Sequence, residues 1–127
     1  MKTIYEAIGG QPVIDKIVDA FYPKVYADEE IGHLFQGDME EIKQKQRLFL
    51  PQLFGGPALY SEKYGPPAMR ARHMPFKITP KRAKCWLRCM KEAMQEVGVF
   101  ETEAGQTMYR QLTQIAFVMV NSFDDEE

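Results

Sequence analysis

The chain has 127 residues, 45% hydrophobic and 27% charged, with a net charge of −2 from 16 basic and 18 acidic side chains. That length supports a single domain, read over residues 1–127, with a real core, and the composition excludes disordered and collagen-like classes. The absence of a basic excess or a Lys/Arg block argues against nucleic acid as a partner, and the absence of any bilayer-length apolar run argues against a membrane.

The start, Met1-Lys2-Thr3-Ile4-Tyr5-Glu6, lacks the apolar core of a signal peptide, so a cytoplasmic location is the expectation. Thr3 and Glu6 have the spacing of a capping box, and Gly9-Gly10 stops this first helix after about two turns. Pro12 then suits the first turn of a longer helix, with Val13, Ile17, Phe21 and Val25 on one stripe and Ile14, Val18 and Tyr22 beside it. Pro23 is a candidate kink. A short turn carries Ile31, Leu34 and Phe35, and Asp38 with Glu41 predicts the cap of a helix whose inner face reads Ile42, Gln46, Phe49 and Leu53.

Gly55-Gly56-Pro57 ends that helix, and an aperiodic loop is expected to about Pro67. One or two helical turns from Pro67 would end at His73, before Pro75. Thr79-Pro80 reads as cap and first turn of a helix carrying Ala83, Trp86, Met90, Ala93 and Val97, closed by Gly98. A last helix over residues 102–122 presents Met108, Leu112, Ile115, Met119 and Phe123, and an acidic tail, 124–127, follows. Nothing alternates at period two, so the fold class is all-α.

Tyr22, Gln46 and Trp86 break otherwise apolar faces, and each brings a hydrogen-bond donor that needs an acceptor when buried. Taken singly, each finds an ordinary explanation in a backbone carbonyl or a water; taken together, they suit a small polar ligand. His73 is one of two histidines and stands beside Arg70 and Arg72, which are anchors for an anionic group. A lone histidine cannot hold zinc, but it can hold a haem iron, because the macrocycle supplies the other ligands. His33, among Glu29, Glu30 and Gly32, reads as solvent-exposed. Cys85 and Cys89 are spaced i,i+4, which suits neither a disulfide nor a complete zinc site, so they read as reduced core residues. No Cys-x-x-Cys-His motif is present for covalent haem attachment.

Over almost its whole length the chain resembles the truncated haemoglobins, specifically their second group. The resemblance is carried by Phe21-Tyr22, Phe35, Gln46 with Phe49-Leu50, Gly55-Gly56-Pro57, Tyr60-Ser61-Glu62 and Trp86-Leu87-Arg88-Cys89-Met90. Met119-Val120-Asn121-Ser122 fits as well, and the strongest signal is Arg70-Ala71-Arg72-His73-Met74-Pro75-Phe76 followed by Trp86. It implies a two-over-two helical sandwich around non-covalent haem b (iron protoporphyrin IX), with His73 as the axial metal ligand. By the same resemblance Tyr22, Ile42, Gln46 and Trp86 lie on the distal, ligand-binding side. Phe35, Phe49 and Phe76 would contact the cofactor, and Lys45, Arg72 and Tyr60 would meet its propionates. Two departures from the family pattern are Ile42, where many globins have a distal histidine, and Gly65-Pro66-Pro67, where a histidine is expected between glycine and proline.

The implied function is reversible binding of O2, and also CO and NO, at ferrous iron. O2 held there gathers negative charge, so each donor aimed at it is worth roughly 1.5–3 kcal/mol. Two such donors would slow release by about 10²–10⁴, so high affinity and slow dissociation are expected. That favours O2/NO redox chemistry or scavenging, such as NO dioxygenation or peroxidase-like turnover. The sequence has no Gly-x-Gly-x-x-Gly fingerprint, so electrons would come from a separate reductase. Two readings from other classes are gas sensing or oxygen storage and transport without turnover, and a cofactor-free helical module.

Overall fold

The computed structural model describes residues 2–123, without the side chain of Arg70; the expected acidic tail and the expected anchoring role of Arg70 lie outside the described residues. Among the described residues seven helices follow one another: α1 (Ile4–Ile8), α2 (Gln11–Ala27), α3 (Met39–Leu53), α4 (Leu59–Tyr64), α5 (Met69–His73), α6 (Pro80–Val97) and α7 (Glu103–Val118). A single 3₁₀ turn, Gly32–Leu34, sits between α2 and α3. There is no strand among the described residues. α2 packs on α3, α6 packs on α7, and α2 crosses onto α6. That is the two-over-two arrangement that the resemblance implied, and the fold class is all-α.

Local chemistry sets the helix ends. The Thr3–Glu6 capping box forms, Thr79 caps α6 through the Arg82 N–H with Pro80 in its first turn, and Gly98 closes α6 in a left-handed conformation. α2 runs through Pro23 to Ala27. Gly55 and Gly56 let α3 end against α1: a Cβ on Gly55 would stand 2.8 Å from Thr3, and one on Gly56 2.8 Å from the Tyr5 ring. Gly55 also has φ +92°, a conformation that disfavours other residues.

Four expectations need correction. Asp38 precedes α3, but its side chain caps nothing. The stretch before Pro67 is not all loop. α4 forms there because Gln52 of α3 holds Ser61 twice, accepting from its backbone N–H (2.9 Å) and donating to its hydroxyl (2.7 Å). The turns leading to His73 start at Met69 rather than Pro67, after Ala68 with φ 48°. α7 stops at Val118 rather than at 122, because the backbone N–H groups of Asn121 and Ser122 turn to the Ile78 carbonyl, and Phe123 is left 84% exposed.

The core draws mainly on α2 (Ile14, Ile17, Val18, Phe21, Val25) and α6 (Leu87, Cys89, Met90, Ala93, Met94), with Met108 and Leu112 from α7. Cys85 and Cys89 are buried free thiols, as their spacing suggested, and burial pushes the Cys89 thiol up from its ordinary value. His33 is exposed. No helix among the described residues is long and apolar enough to cross a membrane.

Candidate functional site

Between the two helix pairs lies a cavity of about 460 Å³, within the roughly 300–1,000 Å³ usual for small-molecule sites. Tyr22 of α2, Phe35 of the following turn, Ile42, Lys45, Gln46 and Phe49 of α3, Tyr60 of α4, Arg72 and His73 of α5, Phe76 of the connection after α5 and Trp86 of α6 all line it. Arg70 apart, every site residue expected from the sequence is therefore on one wall or another of a single cavity. The lining also includes Met119 and residues that no motif singled out, among them Met69, Ile78, Arg82 and Ile115. Of the latter only Ile115 has a signal in the sequence, its place on the apolar stripe of the last helix.

Three polar groups face this space without a protein partner. Among the described residues nothing hydrogen-bonds to the Tyr22 hydroxyl, the Gln46 amide or the Trp86 indole N–H, and no buried side-chain nitrogen or oxygen is left fully enclosed and unpaired. Tyr22 is only 5% exposed. Burial, with a lesser contribution from neighbouring Tyr26, pushes its hydroxyl well above the ordinary phenol range, so it stays protonated and able to donate. Its ring and that of Trp86 both meet Phe21 edge-on, at 4.8 and 5.0 Å between centroids, which fixes the two donors relative to each other.

Phe35 is held by the turn after α2. One oxygen of Asp28 accepts from the backbone N–H groups of Glu30 (2.8 Å) and Ile31 (3.1 Å), and the other pairs with Arg88 of α6. Phe35 in turn lies 6.4 Å from the Tyr22 ring. Phe49 meets Tyr60 at 5.6 Å.

His73 is partly buried at the end of α5, and its Nδ1 lies 2.6 Å from the Met69 carbonyl. A carbonyl can only accept, so Nδ1 carries the hydrogen and Nε2 is left with its lone pair. That is how a metal-binding imidazole is oriented. No group of three or more His, Cys, Asp or Glu side chains stands together among the described residues, so a bare ion has no ligand set here. A macrocycle that brings its own four nitrogens needs only the one histidine and an apolar cavity. The residues fit haem. The exposed Lys45 and Arg72 lie over the rings of Tyr64 (5.7 Å) and Tyr60 (5.9 Å), and neither meets a carboxylate among the described residues, so both are available to an anionic group.

The feature that sequence reasoning left without a role is Asn121. Its amide nitrogen donates to the carbonyls of Phe76 (2.7 Å) and His73 (3.4 Å), and its oxygen accepts from the Ile78 N–H (2.9 Å). Nothing in an isolated Asn-Ser pair near the end of a helix announces such long-range bonds.

Comparison with known proteins agrees with this architecture. The model of the bacterial-like globin family matches residues 3–121. The Group 2 truncated hemoglobin YjbI of Bacillus subtilis is 43% identical over 123 residues, covering 97% of this chain and 92% of that protein. The crystal structure of the group II truncated hemoglobin from Bacillus anthracis superposes with a TM-score of 0.94 at 42% identity, over 98% of this chain and 95% of that one. The structure of a truncated oxygen-avid haemoglobin from Bacillus subtilis superposes with a TM-score of 0.89 at 43% identity, over 94% and 100% of the two chains. The chain belongs to the bacterial-like globin family, among the truncated haemoglobins of group II, and the cofactor of that family is haem.

Proposed function

We propose that this protein holds haem b without covalent attachment, on His73, and binds O2 at the ferrous iron with high affinity and slow release, CO and NO entering the same site. Haem would supply a ferrous iron able to bind a diatomic gas. The chain supplies the rest. His73 Nε2 would hold the iron, its ring oriented by the Met69 carbonyl, and Lys45 and Arg72, with Tyr60 beside them, would neutralise the propionates. Phe35, Phe49 and Phe76 contact the macrocycle, and Ile42 forms an apolar gate. Tyr22, Gln46 and Trp86 donate hydrogen bonds to the gas.

The observation that carries this reading is the convergence of three unpaired donors and one pre-oriented imidazole on one cavity. A gas that gathers negative charge is held by such donors at roughly 1.5–3 kcal/mol each, and the oxygen avidity named for the Bacillus subtilis relative supports the same direction. The role that follows is O2/NO redox chemistry or scavenging, with electrons from an external reductase.

The test begins with absorption spectra of ferric, reduced and CO-treated protein for the wild type and His73→Ala. We expect a Soret band that moves under CO in the wild type and haem that is weakly held or altered in the variant; spectra indifferent to His73 would overturn the ligand assignment. Stopped-flow displacement of O2 follows, with release about 10–100-fold faster in Tyr22→Phe or Trp86→Phe. Equal rates in all three proteins would remove the donors from the account. Nitrate formed from NO and the oxygenated protein, sustained under a supplied reductant, separates scavenging from gas sensing or storage.

A further inference from the structure

The segment from Met74 to Thr79 joins the histidine to α6 and has no helix of its own. Two backbone bonds tie it to α5: the Met74 N–H reaches the Ala71 carbonyl and the Phe76 N–H reaches the His73 carbonyl. From α6, Arg82 donates to the Lys77 carbonyl at 2.7 Å. The remaining bonds named here come from Asn121, which lies more than forty residues away in sequence, beyond the end of α7. Its side chain takes the Ile78 N–H and gives to the Phe76 and His73 carbonyls, while the backbone N–H groups of Asn121 and Ser122 both reach the Ile78 carbonyl, at 3.0 and 3.2 Å.

The polarity of this arrangement is determined. Only an oxygen can accept from the Ile78 N–H, so the amide nitrogen must face the two carbonyls, and a flipped amide would oppose like groups on both sides. A residue with one acceptor and two donors on a short stem is required, which singles out asparagine: aspartate lacks the donors and glutamine is a methylene too long.

We infer that Asn121 is the positioning residue for the iron ligand, fixing the His73 main chain while the Met69 carbonyl fixes its ring. His73 is then held at two points, and the backbone point is anchored just beyond the end of α7, whose Ile115 and Ala116, with Met119 after them, form part of the same cavity wall. With haem bound, these two anchors would together set how the His73 ring is presented to the iron. Outer partners of this kind tune a metal ligand without touching the metal. This inference rests on His73 being the haem ligand.

The test compares Asn121→Ala, which removes all three side-chain bonds, with Asn121→Asp, which keeps the acceptor for Ile78 and removes the donors. Thr113→Ala, which loses a single hydroxyl bond to the Tyr109 carbonyl within α7, is the structural control. In reduced, ligand-free protein the iron–histidine stretching band is expected to shift or split in both Asn121 variants and to stay in place in the control. Haemin loss to an excess of apomyoglobin should be about tenfold faster in both. Amide exchange in the CO-bound form should show Ile78 losing protection in Asn121→Ala and keeping it in Asn121→Asp. If Asn121→Ala fails to fold, Asn121→Asp still carries the band and haemin-loss measurements.

A band lost in His73→Ala but unmoved in Asn121→Asp would overturn this inference alone, even if stability fell. A band that persists in His73→Ala would overturn the ligand assignment, and this inference with it.

Discussion

The two sides of the cavity are held in different ways. α2 and α6 bring Tyr22 and Trp86 to it on long helices with continuous buried faces, and the rings are locked against Phe21, which is 1% exposed. Residues 59–78 bring Tyr60, Arg72, His73 and Phe76 on two short helices and a connection, in which Tyr60 is the one buried apolar residue among those described. What holds this second side is polar and comes from outside it: Gln52 from α3, Arg82 from α6 and Asn121 from beyond α7. Packing holds donors at fixed mutual geometry without consuming their hydrogen-bonding capacity. Hydrogen bonds from three separate elements can hold a short segment that could not bury enough surface to hold itself.

The largest effect that this difference predicts is on the packed side. Phe21→Ala should cost roughly 3–5 kcal/mol in denaturant unfolding, since it removes a fully buried ring and the edge contacts of two others. Phe21→Leu should recover a good part of that loss, because volume matters more there than aromatic character. A loss near 1 kcal/mol for Phe21→Ala would mean that Tyr22 and Trp86 are held by something other than this shared ring.

On the other side the expected effect is smaller and local. Gln52→Ala removes both bonds to Ser61 and should cost about 0.5–1.5 kcal/mol overall. Its distinguishing sign is amide exchange: protection should fall over α4, around Tyr60, while α2 and α6 keep theirs. Uniform loss across all helices would show that the short segment is part of the same cooperative unit as the long ones, and the contrast between the two sides would disappear.

The same difference governs how much could be read from the sequence. The faces of α2, α3 and α6 carry their apolar residues at helical spacing, so Tyr22, Gln46 and Trp86 stood out as polar exceptions, and the cavity indeed contains all three. Thr79-Pro80 and Gly98 bound α6 by local chemistry alone. α4 was missed because Leu59–Tyr64 is too short to show a period and owes its place to Gln52, a residue of another helix. The end of α7 was placed too late for a related reason: apolar spacing continues to Phe123, whereas the chain leaves the helix to bond Ile78. His73 was legible through the motif around it, and its anchor at Asn121 was not, since one half of that arrangement lies at the far end of the chain. Periodicity and caps are properties of neighbours in sequence; a hydrogen bond across more than forty residues is not.

The smallest prediction concerns a polar bond on the packed side, where its context makes it dispensable. Asp19 of α2 accepts from Lys43 (3.0 Å) and Arg47 (2.6 Å) of α3, on the outer surface of a helix pair that is already joined by packing. Hydrogen bonds from Lys43, then Arg47, hold its carboxyl below the usual carboxylate range. A carboxylate whose pKa is depressed by folding contributes stability above its unfolded value, about 3.9, and loses that contribution as the pH falls through the folded value. Asp19 is 53% exposed, so solvent and salt screen the pair and the contribution should stay under about 1 kcal/mol at neutral pH. Asn at position 19 should therefore lower stability slightly at pH 7, lower it less as salt is raised, and lose that effect as the pH falls through the depressed folded value, where the wild-type carboxyl is itself protonated. Gln52, with neutral bonds of similar length, should matter more than this charged pair, because the short α4 that it holds buries only Tyr60. A larger loss at Asp19→Asn than at Gln52→Ala would reverse that ranking and show that the α2–α3 pair depends on its charges.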